Sequence, residues 1–257
     1  SMRLRSTDGE SWYNGLVLGA NRRFNNGLAM QGSYTFAKSM DLGSQAVGSG
    51  DFDNSFQPAY TFDPESNKGL SDFDIRHNFV YNATWELPFG KSLTGVAGAF
   101  AHGWQLSGIF TARSGIPFSP VLGFDRARVL PRSGGAGQRP DLVAGCSDNP
   151  VLGGADMYFD VNCFALPAAG TLGNLARNTL IGPGYAALDM AIFKNFTFGA
   201  GRRLQFRAEA FNVGNRTNFG LPASTVFNSA GRVATAGQIT TIVGTARQFQ
   251  FGVKLEF

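Results

Sequence analysis

The sequence predicts an all-β protein, an antiparallel up-and-down transmembrane β-barrel segment of about seven strands. Three observations predict it. The closing residues Phe249, Phe251, Val253, Leu255 and Phe257 are apolar, and polar or small residues separate them. Strict alternation gives a strand with one apolar face. At a chain end such a strand is an aggregation hazard unless a barrel pairs its last strand with its first. Six further segments of strand length alternate in the same way. The connections between them run shorter, then long, in turn, as in outer-membrane barrels with short periplasmic turns and long extracellular loops. A soluble β-sandwich could alternate on every strand, but its connections should be mostly short.

The first strand, near 12–24, sets Leu16, Leu18 and Ala20 on one face. Asn25-Asn26-Gly27 then reads as a hairpin turn. The second, 28–40, sets Leu28, Met30, Tyr34 and Phe36 against Gln31, Ser33 and Thr35. After the long stretch 41–73, the third strand, 74–87, sets Ile75, His77, Phe79, Tyr81, Ala83, Trp85 and Leu87 against Arg76, Asn78, Asn82, Thr84 and Glu86. The connection 88–102 is intermediate in length, and the fourth strand could begin inside it. That strand, 103–113, sets Trp104, Leu106, Phe110 and Ala112 against Gln105, Ser107, Thr111 and Arg113, with Ile109 as an exception.

The second long stretch is 114–185. The fifth strand, 186–196, sets Leu188, Met190, Ile192 and Phe196 against Asp189 and Asn195; Phe193 and Lys194 spoil its pattern. The turn Thr197-Phe-Gly-Ala-Gly201 leads to the sixth strand, 202–213, where Leu204, Phe206 and Ala208 oppose Arg203, Gln205, Arg207 and Glu209. The third long stretch is 214–246, and the seventh strand is 247–257. Each strand has roughly the length that crosses a bilayer when tilted. Seven is odd, whereas single-chain bacterial barrels have even counts. The expectation is therefore the final part of a larger barrel.

Composition agrees. Of 257 residues 43% are apolar but only 16% are charged, below the roughly 25% of soluble domains. Mean hydropathy is −0.07, too low for a helical membrane protein. Residues 92–112 carry no Asp, Glu, Lys or Arg, but four glycines, His102 and Gln105 interrupt the run, and its second half alternates. It reads poorly as a spanning helix. The start, Ser1-Met2-Arg3, shows no signal peptide.

The net charge of +4 is scattered, apart from Arg126, Arg128, Arg132 and Arg139 in loop sequence. That is a solvated surface and not a nucleic-acid footprint. Cys146 and Cys163 lie close together in one loop-like segment, which suggests a disulfide formed in an oxidising compartment. Two free thiols are the alternative.

Several motifs stand out, in order and over nearly the whole chain. They are Gly32-Ser-Tyr-Thr-Phe-Ala-Lys-Ser-Met-Asp41, Asp72-Phe-Asp-Ile-Arg-His-Asn-Phe-Val80 with Glu86-Leu-Pro-Phe-Gly90, and Gly103-Trp-Gln-Leu-Ser-Gly-Ile109 with Ser114-Gly-Ile-Pro-Phe118. Further on come the run from Asn174 to Gly184, the strand from Leu188 to Phe196, the segment from Arg203 to Phe219, and Arg247 to Phe257. Together these motifs resemble those of Oar-like TonB-dependent outer-membrane receptors, and the resemblance implies a full chain with a carboxypeptidase-regulatory-like domain, a plug and a barrel of about 22 strands. This sequence would be roughly the last third of that barrel. It lacks the two upstream domains and any recognisable TonB box.

The expected function is binding and passage of an unidentified solute, without covalent chemistry. The expected partners are the plug, the TonB energy-transducing complex, the barrel assembly machinery and outer-membrane lipid. The alternative is an adhesive or structural barrel acting through the 114–185 loop. No catalytic constellation is visible: there is no Gly-x-Ser-x-Gly and no His-Glu-x-x-His. The run Ser133-Gly-Gly-Ala-Gly-Gln138 lacks the lysine of a phosphate loop.

Arg76, Asn78, Arg113, Asp189, Arg207 and Glu209 are the candidates for lumen contacts with solute or plug; a structural ion-pair network is the plainer reading. Trp12, Tyr34, Trp85, Trp104 and Phe257 are candidate interface aromatics. Asp51 and Asp53 open an acidic loop that could hold Ca²⁺, although a solvated loop is the default and no other metal or cofactor is expected. Phe249, Phe251, Val253, Leu255 and Phe257 form the expected assembly signal. Changing Phe257 to a charged residue should block insertion of the full-length protein, measured as its loss from the outer-membrane fraction.

Overall fold

A computed structural model describes residues 9–44, 63–90, 92–129, 137–199 and 201–257. Asp51, Asp53, Arg132 and most of the 133–138 run lie outside the described residues, as does the start of the chain. Among the described residues seven long strands form one antiparallel sheet in chain order. They are Ser11–Arg23, Leu28–Asp41, His77–Glu86, Trp104–Arg113, Tyr185–Phe198, Arg202–Phe211 and Gln248–Glu256. Every neighbour in the sheet is a neighbour among the long strands in sequence, which is the up-and-down order. The sheet is not closed: the first and seventh strands are its edges.

The register turns the alternation into two continuous faces. Leu28, Trp85, Leu106, Ile192, Ala208 and Phe251 stand side by side across six strands. One step along, Ala29, Thr84, Ser107, Ala191, Glu209 and Gln250 make the adjacent row on the opposite face. Because side chains alternate across a sheet, one face is an apolar band and the other a polar surface. The apolar band is uncovered: Phe251 is 79% exposed. A band of that extent marks a membrane or partner surface in a protein wall. No helix among the described residues is long and apolar enough to cross a membrane, which says nothing of strands.

The first turn has the geometry its sequence requires. Gly27 takes φ +81°, and a Cβ there would sit 3.0 Å from the Glu86 Cβ. Positive φ costs a residue with a Cβ, so Asn-Gly is favoured there. The 88–102 connection departs from expectation. The fourth strand does not begin inside it; a short helix, Gly95–Ala101, occupies its second half. The third strand starts at His77 and not at 74, because Asp74 and Arg76 are engaged at the sheet's edge: the Asp74 carboxylate accepts the Ser39 backbone N–H at 2.6 Å, and the Ala37 N–H donates to the Arg76 carbonyl.

The described parts of the long connections carry structure of their own. Those following the fourth and sixth strands pack together into a cap at one end of the sheet, with small strand pairs of their own. Val121–Leu122 pairs in parallel with Thr225–Asn228, whereas Asp141–Leu142 with Phe164–Ala165 and Pro117–Phe118 with Leu180–Ile181 are antiparallel pairs. The buried core of the molecule lies here and includes Leu122, Phe159, Phe164, Leu180 and Val226. A disulfide joins Cys146 to Cys163 across 17 residues, with the Cα atoms 5.7 Å apart. Cys163 is part of that core and Cys146 packs against it.

Candidate functional site

The polar face of the wall is the one a closed barrel turns inward. Arg113 and Asn78 are cross-strand partners on it, and the Arg113 guanidinium lies 5.1 Å from the centre of the Tyr185 ring. Arg207 and Glu209 are ion-paired at 3.5 Å along the sixth strand. Arg203 reaches Glu256 at 2.9 Å, and Glu256 also takes Lys254 at 2.7 Å. Gln205 donates to the Asn195 side-chain oxygen at 2.9 Å. Much of the charge on this face is therefore spent within the wall.

Asp189 behaves differently. One carboxylate oxygen accepts the Asn212 backbone N–H at 2.8 Å. The same carboxylate helps line a cavity of about 300 Å³ between the wall and the cap. Tyr185, Phe211, Asn212, Asn218 and Gln248 line it as well. The Asn212 side-chain amide donates to the Arg216 and Thr245 carbonyls, and Asn218 both accepts from and donates to the backbone of Ala186. Two aromatic rings, a carboxylate and amides held in place by backbone bonds can orient a polar solute, as mostly preformed pockets do.

Where the cap meets the end of the second strand is a node that pattern reading missed. Arg177, 8% exposed, pairs with Asp41 at 2.6 Å and donates also to the Ser44 hydroxyl and to the Leu70 carbonyl. Asn178 donates to Asp72 at 2.6 Å and to Leu70 at 2.7 Å. Arg139 donates to the Asn67 side chain and to the Leu175 carbonyl, while Asn67 donates to the Leu42 carbonyl. Burial, and after it the nearby Arg177 charge, holds Arg139 down at about 10, so it stays protonated at neutral pH.

The node ties the end of the second strand to the connection after it and to the cap. Gly69 sits at the crossing, where a Cβ would lie 2.6 Å from the Arg177 carbonyl oxygen. Asp41, Asp72 and Arg177 come from three separate motifs noted in the sequence. That shared membership was the signal that could have found them.

The sequence-derived sites therefore separate. Arg113 and Asn78 pair near the capped end, with Asp189 at the cavity. Arg207 and Glu209 pair farther down the wall. Arg76 contacts Asp74 at 3.6 Å, at the start of the third strand. Trp12 is at the capped end of its strand, and Trp85 and Trp104 are at the opposite end. Tyr34 lies near the middle of its strand, and its hydroxyl is hydrogen-bonded to His77 Nδ1 at 2.8 Å. Among the described residues no cluster of His, Cys, Asp and Glu is arranged to hold a metal ion.

An apolar band backed by a polar face in up-and-down order defines a transmembrane β-barrel wall. The family model for an outer membrane beta barrel domain matches residues 1–250. The chain belongs to that family, and its location is the bacterial outer membrane. No curated protein and no solved structure matches it.

Proposed function

We propose that this chain is the C-terminal wall of an Oar-like TonB-dependent receptor, which binds a solute outside the cell and passes it to the periplasm. The observation that carries the reading is the capped mouth. Among the described residues, the connections after the fourth and sixth strands pack together over one end of the wall, and the cavity lined by Asp189 lies where they meet the polar face. An adhesin's loops have no need to enclose the mouth of a lumen.

On this reading the capped end is extracellular and the short turns are periplasmic. Arg76, Asn78, Arg113, Arg207 and Glu209 face the plug or the solute path. The unpaired edges of the first and seventh strands meet further strands of the barrel. The assembly machinery reads the closing strand, and the TonB complex remodels the plug. The chemistry is recognition and gated passage.

The test is deletion of the gene, followed by uptake assays with ferric siderophores, oligosaccharides and peptides, each with and without a protonophore. Loss of a protonophore-sensitive uptake supports the reading. Intact uptake of all three classes, with loss of cell adhesion, overturns it in favour of an adhesive barrel. A blot with antibody against the cap checks the frame: the outer-membrane band should be several times 27.5 kDa.

A further inference from the structure

The short helix Gly95–Ala101 is fastened to the apolar face of the wall, at the end away from the cap. Lys194 projects from that face, and its ammonium donates to the carbonyls of Ala99 and His102. The Phe100 ring meets Phe196 edge to face at 5.6 Å, and the Trp104 indole N–H donates to the Phe100 carbonyl at 3.0 Å. His102 Nε2 donates to the Leu93 carbonyl at 2.9 Å, since a carbonyl can only accept. Lys194 thus has a reason to break the alternation of its strand: it is 5% exposed and supplies a cation to the last turn of the helix, where carbonyls lack partners.

Held in this way, the helix turns its own apolar side chains outward. Val96 is 76% exposed and Phe100 65%, and they stand one turn apart; Leu93 and Phe89 are exposed beside them. No charged residue falls between 92 and 112. We infer that this connection is a membrane foot: it lies in the headgroup zone on the short-turn side and inserts Val96, Phe100 and Leu93 into the phospholipid leaflet. Lipid is the occupant because the exposed stripe continues the apolar band of the wall through Phe196, with no polar gap between them. Apolar faces of interfacial helices bury at the boundary between headgroups and acyl chains in this way.

The inference rests on the membrane-wall assignment and not on transport. It is tested on the complete polypeptide, reconstituted in phosphatidylcholine–phosphatidylglycerol vesicles, with single nitroxide labels. Val96→Cys is the probe, Leu188→Cys on the apolar band is the lipid reference, and Ser229→Cys in the cap is the water reference. Power saturation should show oxygen access exceeding that of a nickel chelate at 96, as at 188, with the order reversed at 229. Adding Lys194→Met should sharpen the spectrum at 96 and leave 188 unchanged; no change at 96 would remove Lys194 as the fastening. Water-like access at 96 with lipid-like access at 188 overturns the foot and leaves the wall standing. A label at 96 shielded from both reagents also overturns it, since the stripe then packs on protein. Water-like access at 188 removes the wall assignment and the foot with it.

Discussion

The wall and the cap put the same residue types to opposite uses. In the wall, Phe251, Ile192 and Leu188 stand uncovered, and Arg207 and Glu209 stand on the opposite, polar face. In the cap, Phe159, Phe164 and Leu180 are fully enclosed. The wall is therefore organised by its backbone ladder, in a solvent that needs no apolar core. The cap has strand pieces of only two to four residues, so its order rests on packed rings, one disulfide and the Arg177 node. The two regions should fail separately and for different reasons.

The largest expected separation comes from the node. Arg177→Met leaves the buried Asp41 without its cation, and breaking such a pair costs about 3–5 kcal/mol. The cap in native outer membranes should become protease-sensitive, while the wall keeps its heat-modifiable mobility on gels. If both are lost together, cap and wall are one cooperative unit and the contrast is wrong. Next in size is the disulfide. Replacing Cys146 and Cys163 together with serine frees a loop of 17 residues, worth about 3 kcal/mol in the chain-entropy treatment. The same protease assay should show a smaller shift, confined to the cap, and dithiothreitol on the native protein should reproduce it.

The difference between the regions also explains what could be read from the sequence. Wall strands of nine to fourteen residues are long enough to show a period of two, so their positions were legible to within about three residues. Cap strands are too short to show any period, and Phe118, Phe159 and Phe227 meet from distant parts of the chain. Their packing was invisible to a local pattern. Lys194 was legible only as an error in its strand, because its partners are backbone carbonyls on a helix whose Gly-rich sequence carries little helical propensity. Asp189 and Arg113 were placed on the correct face by alternation alone. That Asp189 faces a cavity depended on the cap and could not be read from the strand.

Within the wall the two faces should respond unequally to charge. Ile192→Arg puts a cation in the middle of the apolar band, where such a change costs about 2–4 kcal/mol at the bilayer midplane. Urea unfolding of the complete protein in vesicles should register that loss. A neutral result would mean that the band faces water or protein. The smallest effect is expected on the polar face. Arg203 and Glu256 are paired at 2.9 Å, but both are solvent-accessible and Lys254 also serves Glu256. Exposed pairs of this kind contribute little, because water screens them and holding two long side chains in place costs entropy. Arg203→Gln should therefore move the urea midpoint only slightly, and high salt should shrink the difference further. A loss as large as that of Arg177→Met would mean that the lumen here is sealed from water, so that this stretch of wall behaves like the Arg177 node and is packed against a plug.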